Sequence, residues 1–212
     1  MNPNWTRVAA ALAAEGVAVQ AAALEAAEPY AKRKLDQAVT IQATDDPQRG
    51  WLYFNLILDL AGVSRSPATD AALETLRLYH SQSNLWEGVM PGVPAVLAEL
   101  RQHVEKLIVI SNANGRLHVL LERVGLREFF DVIVDSFVEG VEKPDPRLFE
   151  IALDRAGARP ETALHVGDIY HVDVIGARAA GMTPLLLDPC NLYAGADCAR
   201  LKSLSELPAH LK

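Results

Sequence analysis

The sequence predicts an α/β fold in which a parallel sheet follows a purely helical region. Up to about Asn84 the chain is rich in Ala, Leu and Glu, and its apolar residues recur at helical spacing. After Trp86, short β-rich runs alternate with helical segments, which is the pattern of βαβ units. Two domains are therefore expected, an α-helical one over residues 1–85 and a Rossmann-like α/β core over residues 86–212.

The helical region is expected to form a small bundle. Its apolar residues recur three or four positions apart, so that Phe54, Ile57 and Leu58, for example, lie on one face of a helix. We expect three or four helices and no strand. Breaks between the helices are expected at Gly16, 44–50 and 62–66.

The α/β region is expected to contain four strands joined by helices. Gly125, Gly157 and Gly181 follow three of these helices, where a left-handed cap residue favours glycine. The predicted strands are 106–110, 131–134, 163–166 and 184–187. The predicted helices are 93–103, 116–124, 146–156 and 172–180.

Composition excludes several classes of protein. Of the 212 residues, 50% are hydrophobic and 22% charged, which is typical of a globular protein and not of a disordered one. The net charge is −7 and the basic residues are scattered, so no nucleic-acid partner is expected. The sequence shows neither a leader nor an uncharged membrane-length window, so no membrane partner is expected.

Cys190 and Cys198 are a poor disulfide framework, which favours the cytoplasm. The oligomeric state is left open, a homodimer included.

Polar side chains follow the predicted strands, at the edge where parallel sheets bind ligands. Ser111 and Asn112 follow the first strand, and Asp168 follows the third. Asp173 lies five residues beyond Asp168 across a strand-to-helix turn, so both carboxylates are expected to face one point. Lys143 lies in a proline-rich loop. The carboxylates suit Mg²⁺, whereas the lysine and the serine suit the oxygens of a phosphate.

Each of these residues also has an ordinary structural interpretation. Ser111 and Asn112 fit a helix N-cap, Asp173 fits a cap of its own helix, and a loop lysine such as Lys143 is usually solvated. The functional interpretation is favoured because the candidate residues fall on successive loops of one sheet.

Three segments resemble the second, third and fourth motifs of the haloacid dehalogenase-like (HAD) hydrolase superfamily, in the same order and at the same spacing. They are Val-Ile-Ser-Asn at 109–112, Glu-Lys-Pro-Asp-Pro at 142–146, and His-Val-Gly-Asp at 165–168 followed by Asp173. The resemblance covers about residues 86–187 and implies that the helical region is the cap of a phosphatase-type member. No P-loop, His-Glu-x-x-His or Gly-x-Ser-x-Gly motif competes with it.

The resemblance implies a role for each candidate residue. Ser111, with Asn112 beside it, would bind a phosphoryl oxygen, and Lys143 would neutralise charge on the nucleophile and the phosphoryl group. Asp168 would coordinate Mg²⁺, and Asp173, also a residue of the metal site, would orient it. These roles imply a Mg²⁺-dependent phosphatase of a small phosphorylated metabolite, acting through an aspartyl-phosphate. A haloacid dehalogenase-type hydrolase and a noncatalytic phosphate-binding or interaction protein are the alternatives.

The largest departure from the family is its first motif, a hydrophobic strand that ends in Asp-x-Asp-x-Thr and carries the nucleophile. The sequence has no such segment. We therefore expect the chain as given to be inactive, through a late start codon, a truncation or descent as a noncatalytic protein. In the family this strand lies between those ending at Ser111 and Asp168, so we expect these two to pair directly or another segment to lie between them.

Other residues have weaker claims on function. The run Leu56 to Gly62 contains Asp59 and superficially resembles a strand ending in a nucleophile, but its helical spacing favours a helix. His165 and His171 flank Asp168 and are weak candidates for metal ligands, since His165 is expected to point outward from its strand.

Overall fold

The structure is a computed structural model that describes residues 1–211. The chain divides into two compact units, Met1–Gly88 and Val89–Lys212. The sequence places this boundary three residues earlier, at 85 instead of 88. Within the described residues, no helix is both long enough and apolar enough to span a membrane.

The helical unit contains five helices in the described residues, against the three or four that the sequence predicts. The additional one is α3, a short helix of six residues whose few turns give little periodicity to detect. The helices are α1 (Trp5–Ala14), α2 (Ala21–Leu35), α3 (Ala38–Ala43), α4 (Asp46–Leu60) and α5 (Pro67–Ser83).

Capping boxes explain where α4 and α5 begin. Before α4, the side chain of Asp45 accepts a hydrogen bond from the Gln48 N–H at 2.9 Å, and the Gln48 side chain accepts one from the Asp45 N–H at 3.1 Å. Ser66 and Thr69 form the same reciprocal pair before α5. Because Asp59 lies inside α4, the prediction that its apolar run is helical is confirmed.

The two ends of the helical unit lie side by side. The Asn2 N–H donates to the Gly88 carbonyl at 2.9 Å, and the Gly88 N–H donates to the Asn2 carbonyl at 2.9 Å. Glu87 adds side-chain contacts, because it accepts hydrogen bonds from Asn4 at 2.9 Å and from Tyr79 at 3.0 Å. These hydrogen bonds hold the first residues of the unit beside its last ones.

The α/β unit contains the four predicted strands and a short fifth one. Its strands are β1 (Ile108–Ser111), β2 (Val132–Asp135), β3 (Leu164–Gly167), β4 (Thr183–Leu187) and β5 (Ala199–Leu201). Its α-helices are α6 (Val93–Leu100), α7 (Leu117–Arg123), α8 (Ser136–Glu139), α9 (Pro146–Ala156) and α10 (Ile175–Ala179). The predicted helix 172–180 is divided, because a π-helical turn over Tyr170–Val174 precedes the α-helical part, α10.

The strands form two separate parallel sheets, one of β1 and β2 and one of β3, β4 and β5. The prediction that the strands ending at Ser111 and Asp168 pair directly is therefore wrong, and no described strand lies between β1 and β3. All four residues of β1 are half-buried, so water reaches this strand. A buried polar group without a hydrogen-bond partner costs about 1–3 kcal/mol, and contact of β1 with water reduces this cost at its free edge.

Helix α9 packs against the first sheet and against α10. Its boundaries match the prediction, since Asp145 caps the N-terminus by accepting from the Arg147 N–H at 3.0 Å and Gly157 ends it at φ +63°. Leu148 packs with the β1 and β2 side chains, and the neighbouring Phe149 packs with α10. Complete burial of each side chain contributes about 1.5–3 kcal/mol, which holds the loop before α9 in place.

Candidate functional site

Asn112 joins the loop after β1 to the loop before α9. Its side-chain amide donates to the Lys143 carbonyl at 3.0 Å and accepts from the Lys143 N–H at 2.8 Å. Both ends of the amide group are therefore used to hold the backbone of Lys143. A direct phosphate contact from Asn112 remains a prediction, while this geometry makes it a residue that positions Lys143.

The ammonium group of Lys143 forms a buried ion pair with Asp173. Its Nζ lies 2.6 Å from Asp173 Oδ1, and the two side chains are only 12% and 4% exposed. Burial by itself would raise the pKa of Asp173, but the Lys143 charge and a hydrogen bond from His165 outweigh it and hold that pKa well below its usual range. Asp173 is consequently a carboxylate at neutral pH, and the Lys143 ammonium is fixed at one end.

The second oxygen of Asp173 organises the loop after β3. Oδ2 accepts hydrogen bonds from the Asp168 N–H at 3.1 Å and from the Ile169 N–H at 3.0 Å. The carboxylate thus holds the residue that the motif assigns to the metal, through its backbone. Hydrogen bonds therefore link the loops that carry Asn112, Lys143 and Asp168 into one site.

Gly167 is needed for this close approach. A Cβ placed there would lie 2.5 Å from Asp173 Oδ2 and nearer still to two carbons of the same side chain. We expect Gly167→Ala to lower the free energy of unfolding by about 3 kcal/mol, the upper range for overpacking, because Asp173 is buried and cannot move aside freely. Urea denaturation measures this, with Gly195→Ala as the control because nothing lies within 4 Å of a Cβ at that position. Equal effects of the two substitutions would contradict the steric account.

Ser111 and Asp168 lie at the carboxyl ends of β1 and β3, as the sequence predicts for strand ends. The Ser111 hydroxyl donates to the carbonyl of Asn112 at 3.1 Å. In the register of the first sheet, Ser111 is opposite Asp135. The catalytic role of Ser111 and the metal-binding role of Asp168 remain predictions.

A Mg²⁺ ion requires oxygen ligands, and Asp168 and Asp173 differ in what they offer it. Asp173 has both oxygens engaged, by Lys143, His165 and two backbone N–H groups. Across residues 1–211, no group of three or more His, Cys, Asp or Glu side chains is arranged to hold a metal ion. Asp168 fits Mg²⁺ as a single carboxylate ligand, whereas the contacts of Asp173 are those of a loop anchor.

His165 corrects one sequence expectation. The alternation of β3 predicts a ring that points outward, but the residue is only 8% exposed. Its ring meets that of Phe149 edge to face at 4.9 Å, and Nε2 lies 3.3 Å from Asp173 Oδ1. The expectation was wrong because the site side of β3 is itself packed, by α9 and by Asp173.

Asp135 is a site-forming residue whose role the sequence did not reveal. It ends β2 and is buried, and its carboxylate accepts from the N–H groups of Gly115 at 3.1 Å, Leu117 at 3.1 Å and Phe137 at 3.0 Å. Three backbone donors on one carboxylate fix the loop that follows Asn112. The sequence shows only an acidic residue at the end of a predicted strand. It does not show which backbone N–H groups that residue binds.

This fold and these motifs are those of the haloacid dehalogenase-like family. The chain belongs to that family, since a family model described as haloacid dehalogenase-like hydrolase matches residues 3–181. The resemblance stated from the motifs and the α/β fold predicted from the sequence are thereby confirmed.

Similar proteins include both phosphatases and a dehalogenase by name. The chain is 42% identical over 127 residues to haloacid dehalogenase-like hydrolase domain-containing protein 3 of Bos taurus, covering 60% of this chain and 50% of that protein. It is 36% identical over 111 residues to glyceraldehyde 3-phosphate phosphatase of Methanothermobacter thermautotrophicus, covering 52% and 49%. The solved 2-haloacid dehalogenase of Pseudomonas syringae pv. tomato DC3000 aligns with a TM-score of 0.55 at 29% identity, covering 87% of this chain and 79% of that one. The chain spans about half the length of the curated relatives it matches.

Proposed function

We propose that this HAD-like hydrolase acts as a Mg²⁺-dependent phosphatase of a small phosphorylated metabolite. The observation that supports this most is the position of Lys143. Asn112 holds its backbone, and its nearly buried ammonium pairs with Asp173 beside the ends of the parallel strands. A fixed positive charge of this kind stabilises the negative charge of a phosphoryl group without reorganising during the reaction. A phosphatase name among the similar proteins favours the same reaction class.

The residues divide the work of binding in this proposal. Lys143 would face the phosphoryl oxygens with the part of its ammonium that Asp173 does not use, and the Ser111 hydroxyl would turn from its backbone acceptor to a phosphate oxygen. Asp168 would hold Mg²⁺, which when bound supplies charge neutralisation at the phosphoryl oxygens. The helical unit would act as the cap. The substrate is proposed only as a class, a small phosphorylated metabolite.

The reaction also needs a nucleophilic carboxylate, which the family presents on an Asp-x-Asp-x-Thr strand. The 212 residues contain no such segment, and the Asp173 carboxylate is engaged by Lys143 and the backbone. We therefore propose that the described residues bind phosphate and Mg²⁺, while turnover requires this additional strand.

A dehalogenase is the second candidate, since a solved 2-haloacid dehalogenase is similar to most of the chain. A dehalogenase site would also use a fixed lysine, but its ligand binding would not depend on Mg²⁺. The noncatalytic alternative would bind phosphate and show no turnover when a nucleophile is supplied. Dependence of phosphate binding on Mg²⁺ separates the phosphatase from the dehalogenase.

Calorimetric titration of the 212-residue chain with orthovanadate tests the proposal. We expect Mg²⁺ to tighten binding, and Asp168→Asn to weaken the Mg²⁺ effect at least roughly tenfold, since even indirect partners of metal ligands have effects of that size. Asp154→Asn is the control, because Asp154 is an exposed acidic residue on α9. Binding that ignores Mg²⁺ and Asp168→Asn would contradict the metal assignment, and no binding at all would contradict the phosphate site.

A further inference from the structure

We infer that His165 is a positioning residue of the site: its ring N–H holds the Asp173 carboxylate, and through it the Lys143 ammonium. The Nε2 atom of His165 lies 3.3 Å from Asp173 Oδ1, the same oxygen that pairs with Lys143 Nζ at 2.6 Å. The value of this arrangement for phosphate binding rests on the proposed function, whereas the positioning itself does not.

Packing against Phe149 restricts the orientation of the His165 ring. It sits edge-on to Phe149 with an interplanar angle of 85°, and Phe149 is fully buried. The carboxylate is equally confined, because its other oxygen accepts the Asp168 and Ile169 N–H groups. Because the His165 ring and the Asp173 carboxylate are both held, the Lys143 ammonium can pair with Asp173 Oδ1 only in a restricted position.

The geometry fixes which ring atom donates. The ring nitrogen that faces the Asp173 carboxylate is Nε2, and a carboxylate oxygen only accepts hydrogen bonds. The arrangement therefore requires a proton on Nε2.

A core histidine that only packs against Phe149 would be the ordinary interpretation. It predicts that substitutions of His165 change stability and leave the Lys143 ammonium undisturbed. The positioning role predicts the opposite pattern: His165→Leu, which keeps apolar volume and removes the donor, disturbs Lys143, and His165→Gln, which keeps a donor, largely preserves it.

NMR of the lysine ammonium groups in the 212-residue chain distinguishes these roles without any enzyme assay. We expect proton exchange of the Lys143 ammonium to become roughly tenfold faster in His165→Leu and to stay within about twofold in His165→Gln, since one hydrogen bond to a charged group is at stake. The Lys32 ammonium, which pairs with Glu28 at 2.7 Å in the helical unit, is the internal control and should not change.

The outcomes separate this inference from the proposed function. Unchanged Lys143 exchange in His165→Leu, or equal acceleration in both variants, overturns the positioning role. If His165→Leu does not fold, the wild-type ring decides: nitrogen NMR showing the proton on Nε2 supports the inference, and the proton on Nδ1 overturns it. Orthovanadate binding is measured in the same samples. Failure of wild type to bind refutes the phosphate site and leaves the ammonium result standing.

Discussion

A chain extended before Met1 by a hydrophobic strand ending in Asp-x-Asp-x-Thr is expected to hydrolyse a generic phosphomonoester at least about 10³-fold faster than the 212-residue chain. The gain is large because the remaining groups bind and polarise a phosphate but include no positioned nucleophile. Lys143 is a charge partner of Asp173, and the Ser111 hydroxyl donates to a backbone carbonyl.

Two features of the structure are compatible with such a strand, namely the free edges of β1 and β3 and the position of the N-terminus. Sheets β1–β2 and β3–β5 are separate, so β1 and β3 each keep one edge without a strand partner in residues 1–211. Free parallel edges accept a further strand through backbone hydrogen bonds. Asn2 pairs with Gly88, directly before the α/β unit begins at Val89, so a segment joined to Met1 starts close to that unit.

The matched control for this experiment is the same extension with both acidic residues changed to Asn. It adds the same strand without the nucleophile, so it should match the unextended chain in rate while sharing any gain in thermal stability. Equal activity of the Asp and Asn extensions would contradict the prediction. Robust phosphatase activity of the 212-residue chain that Asp59→Asn eliminates would instead assign the nucleophile to α4.

Loss of the Lys143 charge is expected to have the largest effect on stability. Lys143→Met leaves Asp173 as a buried carboxylate without its cationic partner, and breaking one side of a buried pair costs about 3–5 kcal/mol. Urea denaturation at neutral pH measures the loss. Lys106→Met is the matched control, because Lys106 lies 3.9 Å from Asp131 in an exposed pair, for which about 0–1 kcal/mol is expected.

The pH dependence of this difference tests its electrostatic origin. The folded-state pKa of Asp173 is lowered, so its stabilising contribution in wild type is complete above the unfolded pKa and is lost as the pH falls below about 4. In Lys143→Met the carboxyl group protonates more readily, so the gap between the two proteins should narrow as the pH falls. A gap that is constant from neutral to acidic pH would indicate lost packing of the lysine stem and not a lost charge.

Much of the fold follows from local pattern. The bounds of α9 were predictable because its cap residue, its first-turn proline and its terminal glycine are all adjacent in sequence to the helix they delimit. The family could be predicted from three short motifs for a similar reason, since each motif is a contiguous strand end or loop. The short helix α3 and the strand β5 were missed because segments of six and three residues carry too little periodicity.

The sequence by itself determined the class of this protein, the order of its longer helices and four main strands, and which polar residues follow those strands. Only the tertiary structure decided their partners: that Asp173 pairs with Lys143, which lies 30 residues away, and that His165 points inward to the same carboxylate. The spacing of apolar residues indicates which face of a helix or strand is buried, because this spacing involves only residues that are close in sequence. The partner of a buried charge depends on which distant loop packs against it, and here α9 and Phe149 set that contact.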